Sequence, residues 1–459
     1  MPPDSVVRLF VDASSRVPFS GSCSVVSYLL RRSFEDKGWV CEETLAQPPR
    51  FDAHGALIPA QRASVPASRA DRNLFFEEVF LRADFHRQAD RKQACVFFNL
   101  MCFGDHNIDT FAGVRTLLFN SAFLMRVFLS YVCDPLHPGR IAEFASTHFA
   151  ACPPALPQES FAEGYPSYGQ TLPAAELARL KRWHVLGHAL RPGLDPFAAV
   201  AIAHGLTRVL SSDRPPRIVV LDSQLPALVD AAKSLRVPDA AALFEAVPRL
   251  DNPSMLKLMS ESDFALAYDR SIEAFGFYAL ESVWCGTPVY TNGAGNLRYL
   301  LPSGHGIERY ESSAMAFGDS REVLGAYALV AQHIASDLQS GAASKRCSLG
   351  RAELLQRYNL ANFARGAHTA LSSGRPNVPS RTGHFALHPL VRHCDLDTGR
   401  VITDEAAIQL DEGARTLLQS ALRGEERTEP IALAPLLQRR LLAVRPASPH
   451  GDSDALGPA

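Results

Sequence analysis

The sequence lacks several features that would define its class directly. No apolar run approaches the roughly 18–20 residues that span a bilayer, since even Val127–Val132 is bounded by Arg126 and Asp134. The nine cysteines form no C-x-x-C pair, which indicates neither a zinc ribbon nor a disulfide framework. The 46 basic and 48 acidic side chains nearly balance, which disfavours a general nucleic-acid-binding role.

Common cofactor motifs are also missing. The chain has no G-x(4)-G-K-[ST], no G-x-G-x-x-G after its first strand and no H-E-x-x-H, which disfavours ATP, nicotinamide and zinc-protease chemistry. We therefore expect no bound metal and no cofactor. Residues Met1–Ser5 lack the basic and apolar regions of a secretory signal, which predicts a cytoplasmic protein without a transmembrane segment.

What the sequence does contain is an alternation of strands and helices. The 459 residues, 47% of them apolar, suffice for two or three domains with their own cores. The first half predicts a strand at Val6–Asp12, a helix near Val25–Asp36, and further strands in Ala94–Met101 and Arg115–Asn120. Such alternation is typical of a parallel sheet covered by helices on both faces.

The second half repeats the alternation more regularly. It predicts five strands and four helices in strict order: strand Trp183–Gly187, helix Pro196–Ser211, strand Arg217–Asp222, helix Leu225–Ser234, strand Ala242–Val247, helix Ser254–Ser260, strand Phe264–Tyr268, helix Gly276–Trp284 and strand Pro288–Thr291. Ligands of such domains lie at the carboxyl ends of the strands.

The expected fold class is α/β, with two Rossmann-like doubly wound domains facing a cleft and a small C-terminal α+β module. The predicted parts are an N-terminal Rossmann-like domain at 1–180, a second Rossmann-like domain at 181–371, a linker at 372–384, a small module at 385–445 and a disordered tail at 446–459.

The most informative stretch runs from Glu261 to Gly295. A buried strand ends before a polar loop that carries Glu273, and Gly276 permits close backbone approach. A helix begins there, and its free N–H groups and positive dipole end suit a diphosphate. Glu281 lies about one and a half turns into this helix, where its carboxylate can accept hydrogen bonds from ribose hydroxyls.

Glu273 and Glu281 are separated by seven residues, and Cys285-Gly-Thr-Pro-Val follows the second glutamate. This pattern resembles the donor-site signature of GT-B-fold retaining glycosyltransferases, especially glycosyltransferase family four. The resemblance implies that Glu281 holds the ribose, while Glu273 and the amides of Phe275, Gly276 and Phe277 hold the sugar and the diphosphate. The alternative is that both glutamates are solvated surface residues.

Other parts match this family less closely. Arg191 is the nearest candidate for the family's phosphate-binding basic residue, and the alternative is that it is a surface cation. For His188, a structural role is favoured. Gly21 occupies the place of a glycine-rich loop facing the donor phosphates. His106 is a candidate acid/base or sugar contact, against a hydrogen-bonded loop histidine. Arg298 departs from the family's usual acidic residue.

The resemblance implies a hexosyltransferase that moves a sugar from a nucleotide-sugar donor to an acceptor hydroxyl, with retention and without a metal. The D-x-D at Asp395–Asp397, a metal-binding pattern in the other major glycosyltransferase fold, is expected to form a turn. Two alternatives remain open. One is a sugar-nucleotide epimerase or phosphorylase of the same fold, and the other is a pseudoenzyme that only binds sugar nucleotides.

The C-terminal part carries two further resemblances. Arg357–Arg365 resembles the helix with which such proteins cross back to their first domain. Residues 385–445 predict a hairpin and then helices starting near Asp411, similar to winged-helix peptide-binding domains of the pyrroloquinoline-quinone pathway. This likeness implies a peptide or protein acceptor, with a structural or oligomerisation module as the alternative.

Overall fold

The computed structural model divides into two compact units that are interleaved along the chain. One consists of Met1–Glu159, Tyr358–Pro389 and Gly413–Ala459, and the other of Ser160–Arg357 and Leu390–Glu412. The structure describes residues 6–12, 19, 21–46, 50–51, 57–58, 72–82, 87, 89–210, 213–238, 240–373, 375–377, 381–424 and 432–446. The predicted disordered tail, 446–459, lies outside them except for its first residue.

The first unit begins with an alternation of strands and helices. Its elements up to residue 159 are β1 (Val6–Asp12), α1 (Ser22–Glu35), β2 (Val40–Ala46), β3 (Arg50–Phe51), β4 (Leu57–Ile58), β5 (Arg72–Phe76), α2 (Glu77–Arg82), β6 (Ala94–Phe98), β7 (Thr116–Phe119), α3 (Ala122–Val132), α4 (Arg140–Glu143) and β8 (His148–Ala151). Six strands form a parallel sheet in the order β2-β1-β5-β6-β7-β8. Strands β3 and β4 form a separate antiparallel pair.

Phenylalanine side chains form the core of this unit. Phe98 on β6 stacks on Phe119 of β7, with ring centroids 4.7 Å apart, and meets Phe128 of α3 edge-on at 5.3 Å. Ser121 begins α3, because its Oγ accepts a hydrogen bond from the amide of Leu124 at 3.2 Å. This cap sets the direction in which α3 packs its apolar face onto the sheet.

The second unit contains a second parallel sheet. Its elements up to residue 357 are α5 (Ala174–Trp183), β9 (Val185–Ala189), α6 (Pro196–Val209), β10 (Pro216–Leu221), α7 (Leu225–Leu235), β11 (Phe244–Val247), α8 (Asn252–Glu261), β12 (Phe264–Ala267), α9 (Phe277–Trp284), β13 (Val289–Thr291), β14 (Ile307–Arg309), α10 (Ser313–Phe317), α11 (Ser320–Ser340) and α12 (Ala342–Arg357). The six strands are parallel, in the order β11-β10-β9-β12-β13-β14.

The remaining elements lie C-terminal to both sheets. They are α13 (Leu360–Ser373), β15 (Arg381–Leu387), β16 (Val391–Asp395), β17 (Arg400–Thr403), β18 (Ala407–Gln409), α14 (Glu412–Arg423), α15 (Ala434–Gln438) and β19 (Leu442–Pro446). Helix α13 belongs to the first unit, where the amide of Leu156 bonds to the carbonyl of Tyr358 at 2.8 Å. Strands β15 and β19 form an antiparallel pair in the same unit.

Strands β16, β17 and β18 form an antiparallel sheet in the second unit. The D-x-D lies at its first turn, as predicted: Asp395 Oδ1 accepts hydrogen bonds from the amides of Asp397 at 3.1 Å and Thr398 at 3.2 Å. A hydrogen bond from Thr398 Oγ1 to Asp395 Oδ2 at 2.7 Å, with help from these amides, lowers the pKa of Asp395. Residues 385–445 therefore contribute to both compact units, while the domain boundaries predicted from the sequence stay predictions.

No helix among the described residues is both long and apolar enough to cross a membrane.

Candidate active site

The candidate site lies at the carboxyl ends of β9 and β12, which are neighbours in the second sheet. Within the sheet, β9 has β10 as one neighbour and β12 as the other. The chain passes from β9 to β10 and β11 and only then returns to β12, so the strand order reverses at β9. Such a reversal of strand order leaves a crevice at the strand ends, and this is where open α/β sheets bind ligands.

Two backbone hydrogen bonds join the loops that follow these strands. The amide of Asp195 donates to the carbonyl of Tyr268 at 2.7 Å, and the amide of Arg270 donates to the carbonyl of Gly193 at 2.9 Å. The loop that carries Arg191 is thereby held against the loop that carries Asp269 and Glu273.

Arg191 forms ion pairs with two carboxylates from the β12 loop. Its Nε lies 3.0 Å from Asp269 Oδ1 and 2.9 Å from Oδ2, and its Nη2 contacts Glu273 Oε2. The side chains are 12% exposed for Arg191, 0% for Asp269 and 18% for Glu273. Glu273 is therefore the carboxylate of this pair that solvent or a ligand can reach.

Burial and charge set the protonation of this group. Burial disfavours the charged guanidinium, but the attraction of Glu273 and Asp269 outweighs it, so the pKa of Arg191 lies above its ordinary value. Burial also raises the pKa of Asp269 to about 6, although Arg191 opposes the rise. With one cation and two carboxylates, the free site carries a net negative charge once Asp269 is ionised.

The loop from Glu273 leads into the N-terminus of α9. The amide of Phe275 donates to Glu273 Oε1 at 3.2 Å, so this carboxylate already binds one of the N–H groups expected to hold a diphosphate. Gly276 is the N-terminal cap residue of α9, and Phe277 is its first helical residue. The structure thus places Arg191 and Glu273 beside Phe275, Gly276 and Phe277; the roles of these residues stay predictions.

Gly276 is required at this position for two reasons. Its φ of +113° lies in a region that side-chain-bearing residues rarely adopt. A Cβ at this residue would also lie 2.7 Å from Leu300 Cδ1. Gly276 therefore lets the backbone at the start of α9 lie close to Leu300, where a larger residue would clash.

Glu281 is buried within α9, with 2% of its surface exposed. Burial, with the negative charge of Glu281 nearby, raises the pKa of the Tyr165 phenol above its ordinary range. Neither Glu281 nor Glu273 is a freely solvated surface residue, so the alternative interpretation of this glutamate pair does not describe the structure.

His188 is completely buried on β9, and its Nε2 lies 3.2 Å from Ser282 Oγ on α9. Burial lowers the pKa of this imidazole to about 3, so His188 is neutral at ordinary pH. The structural role favoured for this residue agrees with its position, because a neutral buried ring cannot supply the positive charge of the family's basic residue.

The loop after β13 packs against the loop that carries Glu273. The amide of Asn296 donates to the carbonyl of Glu273 at 2.7 Å, and Asn296 Nδ2 donates to the carbonyl of Phe275 at 2.7 Å. A Cβ at Gly295 would lie 2.3 Å from the carbonyl oxygen of Glu273. This loop therefore holds the backbone of Glu273 in place.

The C-terminal residues hold this loop in turn. Asp404 Oδ1 accepts a hydrogen bond from the amide of Gly295 at 3.0 Å, and Asp404 Oδ2 lies 2.8 Å from Arg298 Nη2. Arg298 also donates to the carbonyls of Gly295 at 3.1 Å and Val391 at 2.5 Å. Arg298, the residue at which the sequence departs from the glycosyltransferase pattern that it resembles, is thus a buried structural cation.

Gly21 and His106 belong to the other compact unit. Gly21 begins α1 with a reciprocal cap, in which its amide donates to Ser24 Oγ at 3.2 Å and Ser24 Oγ donates to the Gly21 carbonyl at 2.6 Å. His106 is exposed in the turn after β6.

In the same unit, Asp105, Asp134 and His137 place possible metal-ligand atoms within 4.8 Å of one another. Arg140 already donates to Asp105 Oδ1 at 2.6 Å, so one of these three residues forms an ion pair with the protein.

Sequence reasoning missed two carboxylates that organise the site. Asp269 follows a buried strand at the switch point, and that placement was a usable signal. Asp404 gave no local signal, because its partner Arg298 is 106 residues away in the chain.

Two six-stranded parallel sheets in separate α/β domains, with a ligand crevice at a switch point, define the GT-B class of fold. No protein-family model matches this chain, and no curated protein sequence matches it either. The fold class is therefore shown by structural likeness.

Several solved structures are similar over most of the chain. HepE from Anabaena in complex with UDP and glucose is 13% identical, with a TM-score of 0.52, covering 80% of this chain and 99% of that one. Sucrose-phosphate synthase from Thermosynechococcus elongatus is 11% identical, with a TM-score of 0.53 and coverages of 80% and 98%. A UDP-forming α,α-trehalose-phosphate synthase from Burkholderia vietnamiensis is 12% identical, with a TM-score of 0.53 and coverages of 81% and 99%.

Proposed function

We propose that this chain is a glycosyltransferase similar to family four, which transfers a hexose from a nucleotide-sugar donor to an acceptor hydroxyl with retention of configuration. The observation that carries the proposal is the ion pair of Arg191 with Glu273 at the N-terminus of α9. Structural likeness to HepE, whose complexes contain UDP and UDP-glucose, supports a nucleotide-sugar donor.

When the donor binds, its diphosphate would replace Glu273 as a partner of Arg191. In the free protein, Glu273 occupies Nη2 and Asp269 holds Nε from the buried side. Diphosphate oxygens would replace Glu273 at Nη2, because the guanidinium fork suits phosphate geometry and the α9 amides add a positive potential. Glu273 would then be free to accept hydrogen bonds from sugar hydroxyls, while Asp269 keeps Arg191 oriented.

Transfer breaks the bond between the sugar C1 and the diphosphate oxygen, and the electron pair leaves with the diphosphate. The acceptor hydroxyl oxygen bonds to C1 on the same face through an oxocarbenium-like state, and its proton passes to the leaving phosphate oxygen. Arg191 and the amides at the start of α9 stabilise the charge that develops on the diphosphate. In this proposal the protein's own groups carry out the stabilisation, and no metal takes part in a step.

The second candidate is a sugar-nucleotide-binding protein that does not transfer. The neutralisation of Arg191 by two carboxylates favours it, because a diphosphate must compete with Glu273 for the guanidinium. A sugar-nucleotide epimerase or a phosphorylase is the third candidate, because enzymes of both kinds share this fold.

The test is incubation of the purified chain with a panel of nucleotide sugars, following nucleoside-diphosphate release with and without cell extract as acceptor. Release that depends on extract supports transfer, and NMR of the product's anomeric proton reports retention or inversion. Turnover without extract supports an epimerase or phosphorylase. Binding without turnover supports the pseudoenzyme.

The acceptor is tested separately. Recognition of a peptide or protein acceptor by residues 385–445 stays a prediction. Once a transfer acceptor has been found, hydrogen–deuterium exchange of the full chain with that acceptor should show protection within 385–445. Protection confined to other segments would argue against this role.

A further inference from the structure

Three arginines and two carboxylates meet beside the loop that supports Glu273. Arg298 pairs with Asp404 at 2.8 Å, and Arg392 lies 3.6 Å from both Glu311 Oε2 and Asp404 Oδ1. Arg309, at the end of the edge strand β14, is the third cation. With both carboxylates ionised, the group carries one surplus positive charge.

The surplus charge resides on Arg309. No carboxylate in the described part of the chain forms an ion pair with it, and its Nη2 donates to the backbone carbonyl of Arg392. Partial desolvation, with repulsion from Arg298, lowers the pKa of Arg309 below its ordinary value. A guanidinium offers five N–H donors, so Arg309 retains enough of them for a second, bidentate partner.

Arg309 packs against the loop that supports Glu273 in the proposed sugar pocket. A Cβ at Gly293 would lie 2.8 Å from Arg309 Nε and 2.8 Å from Arg298 Cγ, so Gly293 lies directly between the two side chains. The same loop continues to Asn296, whose amide bonds to the carbonyl of Glu273 at 2.7 Å. The side chain of Arg309 is nevertheless exposed, whereas those of Arg298 and Arg392 are 3% and 14% exposed.

We infer that Arg309 binds an anionic group of the donor sugar, so that the transferred sugar is an acidic one, with a carboxylate such as that of a uronic acid. This inference rests on the proposed function. Asp269 and Glu273 leave the free site net negative, and a sugar carboxylate would be repelled there without a nearby unpaired cation. Arg309 supplies that cation at the adjacent loop, and because no carboxylate of the described residues pairs with it, a sugar carboxylate would not have to displace one.

The test compares donors that differ only in the sugar carboxylate. Calorimetric titration measures binding of UDP, UDP-glucose and UDP-glucuronate, and of GDP, GDP-mannose and GDP-mannuronate, to the full chain. In at least one pair we expect the acidic sugar nucleotide to bind about tenfold to hundredfold more tightly than its neutral counterpart. Arg309→Gln should abolish this preference without weakening the nucleoside diphosphate, and Arg309→Lys should keep part of it.

Arg321→Gln is the matched control, because Arg321 is also exposed but lies at the start of α11. The inference is overturned if the acidic and neutral sugar nucleotides bind equally, or if Arg309→Gln leaves the preference intact. It is also overturned if Arg309→Gln weakens both members of a pair equally. Failure of every nucleotide to bind the wild-type chain would overturn the proposed function, and the inference with it.

Discussion

Arg298 and Asp404 form a buried ion pair, with 2.8 Å between Nη2 and Oδ2. Their side chains are 3% and 0% exposed, and they lie 106 residues apart in the sequence. The pair joins the three-stranded C-terminal sheet to the loop whose Asn296 amide bonds to the Glu273 carbonyl, so C-terminal residues help to position the candidate active site.

Removal of the Asp404 carboxylate should therefore be costly. Asp404→Ala leaves a buried guanidinium without its carboxylate, and we expect the free energy of unfolding to fall by about 3–5 kcal/mol. Denaturant unfolding measures the loss, and the double variant with Arg298→Met should recover a large part of it. Asp397→Asn in the exposed turn is the control. Equal effects at Asp397 and Asp404 would contradict this account.

A comparison of Gly276, before α9, with Gly286, after α9, separates backbone strain from steric crowding. Gly276 has a φ of +113°, and a Cβ there would clash with Leu300. Gly286 has a φ of +92°, and a Cβ there would have no atom within 4 Å. Each Gly→Ala change should lower stability by about 1–3 kcal/mol through the backbone. Gly276→Ala should lose more than Gly286→Ala, and only it should weaken nucleotide binding. Equal losses, with binding unchanged, would show that the close approach at Gly276 is unimportant.

His188 should make the fold sensitive to acid. Its pKa is about 3 in the native state and about 6.5 when unfolded, so below pH 6.5 only the unfolded chain takes up the proton. The contribution to stability is thus present above pH 6.5 and is lost as the pH falls towards 3. Between pH 7 and pH 5 this residue accounts for about 2 kcal/mol of lost stability.

Denaturant unfolding of His188→Gln at both pH values checks this prediction. The drop in stability from pH 7 to pH 5 should be smaller than in the wild type by that amount. The exposed His137→Gln is the control and should behave as the wild type does. A wild-type drop in His188→Gln would contradict the prediction.

Most of the second domain could be predicted from its sequence. All nine elements predicted between Trp183 and Thr291 are present, with ends within about two residues of those expected. Buried parallel strands are continuous apolar runs, and turn residues separate them from the helices, so local pattern suffices. Arg191 and Glu273 could also be selected as candidates from the sequence, because both follow strand ends close to the paired-glutamate pattern, and their side chains form an ion pair.

What the sequence did not predict depends on distant partners. Strand β5, Arg72–Phe76, begins with two polar residues and runs directly into α2, so it carries no turn signal. The pairing of Arg191 with Asp269 joins residues 78 apart in the chain, and that of Arg298 with Asp404 joins residues 106 apart. Such pairs arise from topology, which local periodicity does not encode.

We propose that Glu273 and Glu281 hold a nucleotide sugar at the N-terminus of α9. The most direct test is the rate of nucleoside-diphosphate release as a function of donor concentration for the wild type, Glu273→Gln and Glu281→Gln with the best donor of the panel. Glu273→Gln should lower kcat by about 10²–10³-fold, and Glu281→Gln should raise the donor KM by about tenfold to hundredfold. Wild-type turnover and affinity in both variants, with every nucleotide sugar tested, would contradict the claim.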